Sequence, residues 1–272
     1  MSAVIVCVLA SSALARRAKV NLALDYTQRD DWQFVIDYKA ERFVEEGGST
    51  SSVKSQIRCD MSAKISEEYE GKRLVFLIDT VKIRSELFDK EQQDKIAKKL
   101  TGADFSLGLI AGVPVFDTLR TFEVSEISRW DFVLQFAKLL PDMPKQPVSK
   151  GYTWERSGVH PVQTSVGEVP CDIYRLYKID SLSTGTGRAH VSWEFRYAAA
   201  QKAVMESALL KQVPISGKGK GNAVIDAKKK VLLKASMRFE TPSGSHKGKK
   251  IHWVERTTLE HVENRKNAGG PR

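Results

Sequence analysis

The sequence predicts an α+β protein. Its framework is a long, curved, mainly antiparallel β-sheet, half-barrel-like, with two or three helices packed on the concave face. Three observations predict this. Strand-like segments follow one another at hairpin distances instead of alternating with helices, which argues against βαβ units. Several run far beyond the usual five or six residues, as strands of a curved sheet do. Two segments, Asp89–Leu100 and Ser125–Leu140, carry helix signals.

The chain has 272 residues, 42% of them hydrophobic and 8% aromatic, enough to bury a core and to exclude global disorder. Residues 1–150 balance 22 Lys/Arg against 22 Asp/Glu, while residues 151–272 carry 21 against 11. The formal charge of +10 therefore sits in the second half, whose surface favours anionic partners or is simply well solvated.

Met1-Ser2-Ala3 is followed by VIVCVLASSALA and Arg16-Arg17. The apolar run, ending in Ala13-Leu14-Ala15, matches a signal peptide with an A-x-A cleavage site, and residues 1–15 are assigned to it. It is shorter than the roughly 20 residues of a permanent span. It lacks a basic leading segment, and the alternative is a buried first strand on Val4-Ile5-Val6. Val6 stands where a lipoprotein box wants a small residue, so Cys7 is a poor lipidation site. Export implies a periplasmic or secreted protein, free or held at a membrane surface, and leaves Cys59 and Cys171. In an oxidising compartment these two either form one disulfide joining the halves or stay isolated buried thiols.

Residues 16–140 form a first β-rich half. Lys19–Tyr26 reads as a strand, and Gln33–Phe43 as a half-buried strand with Ile36, Tyr38 and Ala40 on one face. Glu46–Ser52 reads as a polar loop and Val53–Tyr69 as a long alternating strand. Arg73–Arg84 is apolar enough to suggest burial on both faces over part of its length. Asp89 is placed to cap the helix 89–100, and Gly102 to end it. Phe105–Leu119 reads as a hairpin with Ala111-Gly112 at its tip. Helix 125–140 is apolar over more than half its circumference, so it must be buried or close over something apolar. Pro141 stops it.

Pro141, Pro144 and Pro147 stiffen a strap, residues 141–150. A second, basic β-rich half spans 151–262. In it Ala189–Tyr197 has the cleanest alternation, with Trp193 and Phe195 on one face. Ala198–Gln212 reads as a short helix or an irregular crossover. Gly217–Gly221 (GKGKG) reads as a flexible turn opening a hairpin that turns at Asp226–Lys230. Pro242–Gly248 reads as a loop, Lys250–Val262 as the last strand, and 263–272 as a disordered tail.

The sequence holds no GxSxG, HExxH, Walker or GxGxxG motif, and no CxxC. The five histidines are scattered, and Asp30-Asp31 reads as a turn. No enzyme, cofactor or metal is expected. Two basic clusters, Lys228-Lys229-Lys230 and Lys247 with Lys249-Lys250, have three readings. They could grip nucleic acid, lie on an anionic membrane, or keep hairpins from pairing edge to edge. Export weighs against nucleic acid. The apolar candidates for a ligand lining are Trp130, Phe132, Phe136, Trp193 and Phe195.

The helix ending at Leu140-Pro141, the segment Pro147-Val148-Ser149-Lys150-Gly151-Tyr152-Thr153-Trp154, and Gly219, Gly221 and Asp226 of the later hairpin together resemble an uncharacterised family of exported or lipid-anchored bacterial envelope proteins. The resemblance covers about residues 100–260 and departs at the N-terminus, where a clear lipoprotein box is lacking. It implies compartment and fold rather than a reaction. By fold analogy, the long sheet looks like those of envelope lipid carriers, which cup apolar ligand under helices. The expected function is a non-enzymatic envelope protein binding lipid or lipoprotein in a sheet concavity. The alternative is a structural or adaptor protein with no ligand cavity, binding an anionic surface through its basic half.

Overall fold

The computed structural model describes residues 19–68, 71–115, 139–164, 167–183, 185–206, 216–246 and 249–262. The expected signal peptide, most of the helix 125–140 and the expected tail lie outside these residues.

Eleven strands form one open sheet. They are β1 (Asp31–Glu46), β2 (Ser49–Glu68), β3 (Gly71–Ser85), β4 (Asp104–Ile110), β5 (Val113–Val115), β6 (Thr153–Thr164), β7 (Gly167–Leu182), β8 (Arg188–Ala199), β9 (Ser216–Asp226), β10 (Val231–His246) and β11 (Lys249–His261). Their order is β5-β4-β3-β2-β1-β11-β10-β9-β8-β7-β6, with every pairing antiparallel. The last strand pairs with the first, so residues from both ends of the chain meet at the centre of the sheet.

This corrects the α+β expectation: the described chain is nearly all β. The α-helices of the described residues are α1 (Lys90–Leu100) and the six-residue α2 (Gln201–Glu206), with one 3-10 turn at Tyr26–Gln28. Helix α1 forms because Asp89 and Gln92 make a reciprocal capping box, and it buries Ile96 and Leu100. The strands are longer than the loop-rich sequence suggested, for local reasons. Gly47 and Gly48 both take positive φ, so two residues suffice for the β1–β2 hairpin and Ser49–Ser52 join the ladder. Strand β10 runs on to His246 across a register shift between Thr241 and Gly244, where a loop was expected. Among the described residues Lys19–Tyr26 forms one isolated β-bridge, Val20 to Val148, and is not a strand of the sheet. Strand β3 is not buried on both faces: Leu74, Phe76 and Ile78 are covered, while Leu77 is exposed.

Two consecutive backbone N–H groups reveal how the sheet curls. Asp25 donates to Lys230 O in the β9–β10 turn, and Tyr26 donates to Gly112 O in the β4–β5 turn, each at 2.8 Å. Those turns are separated by β3, β2, β1 and β11, roughly 24 Å if the sheet were flat. Adjacent residues can touch both only if the sheet coils around the segment that carries them. Leu22, Leu24 and Tyr26 of that segment are buried, and Trp32 Nε1 donates to Tyr26 O. The apolar face is therefore the inner one.

Candidate functional site

Alternation along each strand places one face of the sheet inward, and register carries that face from strand to strand. Trp32, Phe34, Ile36, Tyr38 and Ala40 of β1 adjoin Ala63, Met61, Cys59 and Ile57 of β2. On the other side lie Leu259 and Thr257 of β11, then Ala235, Met237 and Phe239 of β10. Beyond them come β9, β8 and β7, ending at Trp154 on β6. Nearly all these side chains are buried.

The aromatic part of this face rests on glycine. Gly217, Gly219 and Gly221 alternate on the inner side of β9, directly opposite Tyr197, Phe195 and Trp193 of β8. A Cβ at any of the three would run into the opposing ring. With no side chains beneath them, the rings lie across β9 and reach β10. Phe239 stacks on Phe195 at 5.9 Å and on Tyr197 at 5.3 Å between centroids. Trp154, Tyr177 and Trp193 continue the surface, at 5.0 and 5.9 Å. GKGKG is thus a strand with a ring-bearing floor, not a flexible turn. The signal lay in its spacing, glycine every second residue, which fits one face of a strand.

The strap is fixed to this surface. Asp142 O accepts from Trp154 Nε1 at 2.8 Å, and Tyr177 Oη donates to the Asp142 carboxylate at 3.2 Å while accepting from its N–H. Arg175 stands 3.5 Å from the same carboxylate. Burial raises the Tyr177 phenol pKa above its usual value, keeping it a donor. Leu139 and Val148 are buried at the two ends of the strap.

Toward the ends of β1 and β11 away from the Asp25 segment, the inner face turns polar. Arg42 lies opposite Trp253, its guanidinium 5.4 Å from the ring centroid. Arg42 Nε is buried with no hydrogen-bond partner among the described residues. Glu255, also buried, lies between Ala40 and Phe239. Sequence reasoning missed both, because inside a strand either reads as an ordinary polar-face residue.

Of the expected lining, Trp193 and Phe195 are on the inner face, while Trp130, Phe132 and Phe136 lie outside the described residues. The expected anionic-surface residues do not form one patch. Lys228, Lys229 and Lys230 occupy the β9–β10 turn, which Asp226 Oδ1 organises by accepting the N–H groups of Lys228 and Lys229. Lys249 and Lys250 start β11 at the far end of β10, about 50 Å away along a strand of this length. Lys250 pairs with Glu45 at 3.5 Å, and Lys247 lies outside the described residues. Cys59 and Cys171 are free thiols, which corrects the disulfide. They belong to β2 and β7, six strand positions apart in the order of the sheet, and each is buried on its own strand. Burial pushes the Cys59 thiol up to about 12 and that of Cys171 up to about 11. No group of metal-ligating side chains is present among the described residues.

The outward face is charged, with Lys39, Arg84, Lys220, Arg238 and Arg256 all exposed. Leu77 of β3 and Tyr174 and Leu176 of β7 are exposed as well, so the cations are concentrated on β3, β1 and β9–β11.

No protein-family model and no curated protein matches the chain. Among solved structures it is similar to a domain named for outer-membrane lipoprotein sorting from Vibrio parahaemolyticus, at 11% identity over 88% of this chain and 87% of that one, with a TM-score of 0.16. OccK8 (OprE) of Pseudomonas aeruginosa matches at 6% identity over 86% and 99%, with a TM-score of 0.21. A LolA superfamily protein from Nitrosomonas europaea matches at 10% identity over 87% and 86%, with a TM-score of 0.15. Likeness at these TM-scores does not establish a shared fold.

Proposed function

We propose that this is a non-enzymatic, exported envelope protein that holds an apolar ligand, a lipid or the acyl chains of a lipoprotein, inside the curl of its sheet. The observation that supports this reading is the inner face itself. It is apolar and aromatic across the sheet, its base is closed by Leu22, Leu24 and Tyr26, and it changes at one end to Arg42, Trp253 and Glu255. An apolar interior with a few polar groups at one end suits a molecule with a long tail and a polar head. Arg42 would meet an anionic head and the ring surface of Phe195, Tyr197 and Phe239 the tail.

Uptake by delipidated protein tests this. Native mass spectrometry with fatty acids and phospholipids should show a bound lipid at one-to-one stoichiometry. A brominated fatty acid should quench fluorescence in wild-type protein more than in the Trp193→Phe variant. Absence of both effects would sink the proposal.

One observation favours a structural or adaptor role instead. The inner side chains are already nearly covered, Ile36 and Tyr177 at 0% exposure and Phe195 at 8%. In that reading the interior serves only as a core, and delipidated and native protein unfold identically.

A further inference from the structure

The outer face carries a feature that neither reading of the interior uses. Cross-strand register lines up one residue from each of six adjacent strands: Arg84 on β3, Gln56 on β2, Lys39 on β1, Arg256 on β11, Arg238 on β10 and Lys220 on β9. Five of the six are cations. Lys39 faces Arg256, Arg256 faces Arg238, and Arg238 faces Lys220 directly across the ladder. The row crosses five strand steps, about 24 Å.

Like charges placed directly opposite each other destabilise a sheet. Three consecutive such pairs are a local conflict of the kind that sequences keep at functional sites. Carboxylates relieve part of it. Lys39 stands 3.7 Å from Asp37, Arg238 2.7 Å from Glu240, and Lys220 2.8 Å from Glu194. Arg84 and Arg256 have no carboxylate partner among the described residues, and Arg256 sits between two other cations. A groove of about 700 Å³ opens here, with Lys39, Gln56, Arg84, Arg238 and Arg256 in its lining. That volume falls within the range of small-ligand sites. Glu41, Glu86 and Lys54 also line it; Glu41 is paired with Lys54 at 3.7 Å, and Arg256 has only cations directly across the ladder. On one flank the row is bordered by Thr258, Ser236 and Asn222, which are hydrogen-bond donors.

We propose that this groove binds a phosphate-bearing group, with Arg256 and Arg84 as principal ligands and Lys39 and Arg238 in support. Guanidinium groups match phosphate oxygens bidentately, and an anion in the groove would remove the repulsion along the row. The phosphate could belong to a lipid headgroup or to a free molecule. Nucleic acid is less suited, because from β3 to β9 no aromatic side chain lies in the row or in the rows flanking it, so bases would have no stacking platform.

Calorimetric titration at low salt tests the proposal on the full chain with inorganic pyrophosphate, with vesicles containing phosphatidylglycerol, and with a thymidine oligonucleotide. Binding of pyrophosphate indicates a free ligand, and binding of the vesicles alone indicates a headgroup. In either case Arg256→Gln with Arg84→Gln should weaken binding at least about tenfold. Replacing Lys228, Lys229 and Lys230 with Gln should leave it unchanged. The Arg256→Gln variant should also melt at or above the wild-type temperature without anion, which separates loss of the site from loss of the fold. The assignment is overturned if neither phosphate probe binds, if the double variant binds as wild type does, or if the oligonucleotide binds more tightly than both.

Discussion

Gly221 lies directly opposite Trp193 in the β8–β9 ladder, and the indole occupies the space where a Cβ on residue 221 would stand. Gly221→Ala should therefore cost about 1–3 kcal/mol through overpacking, read as a lower urea midpoint. Trp193→Leu in the same chain should recover part of that loss. At Gly219 the added Cβ would also meet the Arg238 carbonyl oxygen at 2.7 Å. Backbone cannot step aside as a ring can, so Phe195→Leu should rescue Gly219→Ala less well. Equal rescue at the two positions would contradict the packing described.

Tyr177→Phe removes the hydroxyl that joins the strap to the sheet and leaves the Asp142 N–H without its acceptor. A stability loss of about 1–3 kcal/mol is expected. Trypsin should cut the variant faster at Lys145 or Lys150 than it cuts wild type. An unchanged cleavage rate would mean that the other strap contacts suffice.

The thiols of Cys59 and Cys171 should resist alkylation in the native protein at pH 8 and react fully in denaturant. Their folded pKa values, about 12 and about 11, lie above the ordinary 9.0. The folded state thus holds its protons where the unfolded chain has lost them. The stability they contribute is complete below pH 9 and declines as pH rises toward 11–12. Replacing both with Ser or Ala should flatten that part of the alkaline unfolding curve. Rapid native alkylation at pH 8 would show that the strands open readily there.

Arg42→Gln tests the polar end of the interior. If a fatty-acid carboxylate meets this guanidinium, its affinity should fall about tenfold, with little change for an uncharged lipid. An equal loss for both would assign Arg42 to packing against Trp253 instead.

Much of the sheet was legible because the periodicity of strands is local. Ile36, Tyr38 and Ala40, and likewise Trp193 and Phe195, share a face by alternation alone, and the structure keeps them there. Asp89 capping α1 was equally local. Short turns were misread as loops because Ser, Thr, Gly and Pro favour turns in general. Only strand pairing decides whether Ser49–Ser52 or Pro242–His246 extends a ladder.

The sequence by itself determined the two-faced strands, the capped helix and the placement of excess positive charge in the second half. Tertiary structure alone decided which strands became neighbours. That choice set Gly217, Gly219 and Gly221 beneath three rings, kept Cys59 from Cys171, and aligned Arg84, Lys39, Arg256, Arg238 and Lys220 in one row. The physical reason is register. A strand's own sequence fixes which side each residue faces, but its height against a partner over a hundred residues away depends on every ladder between them.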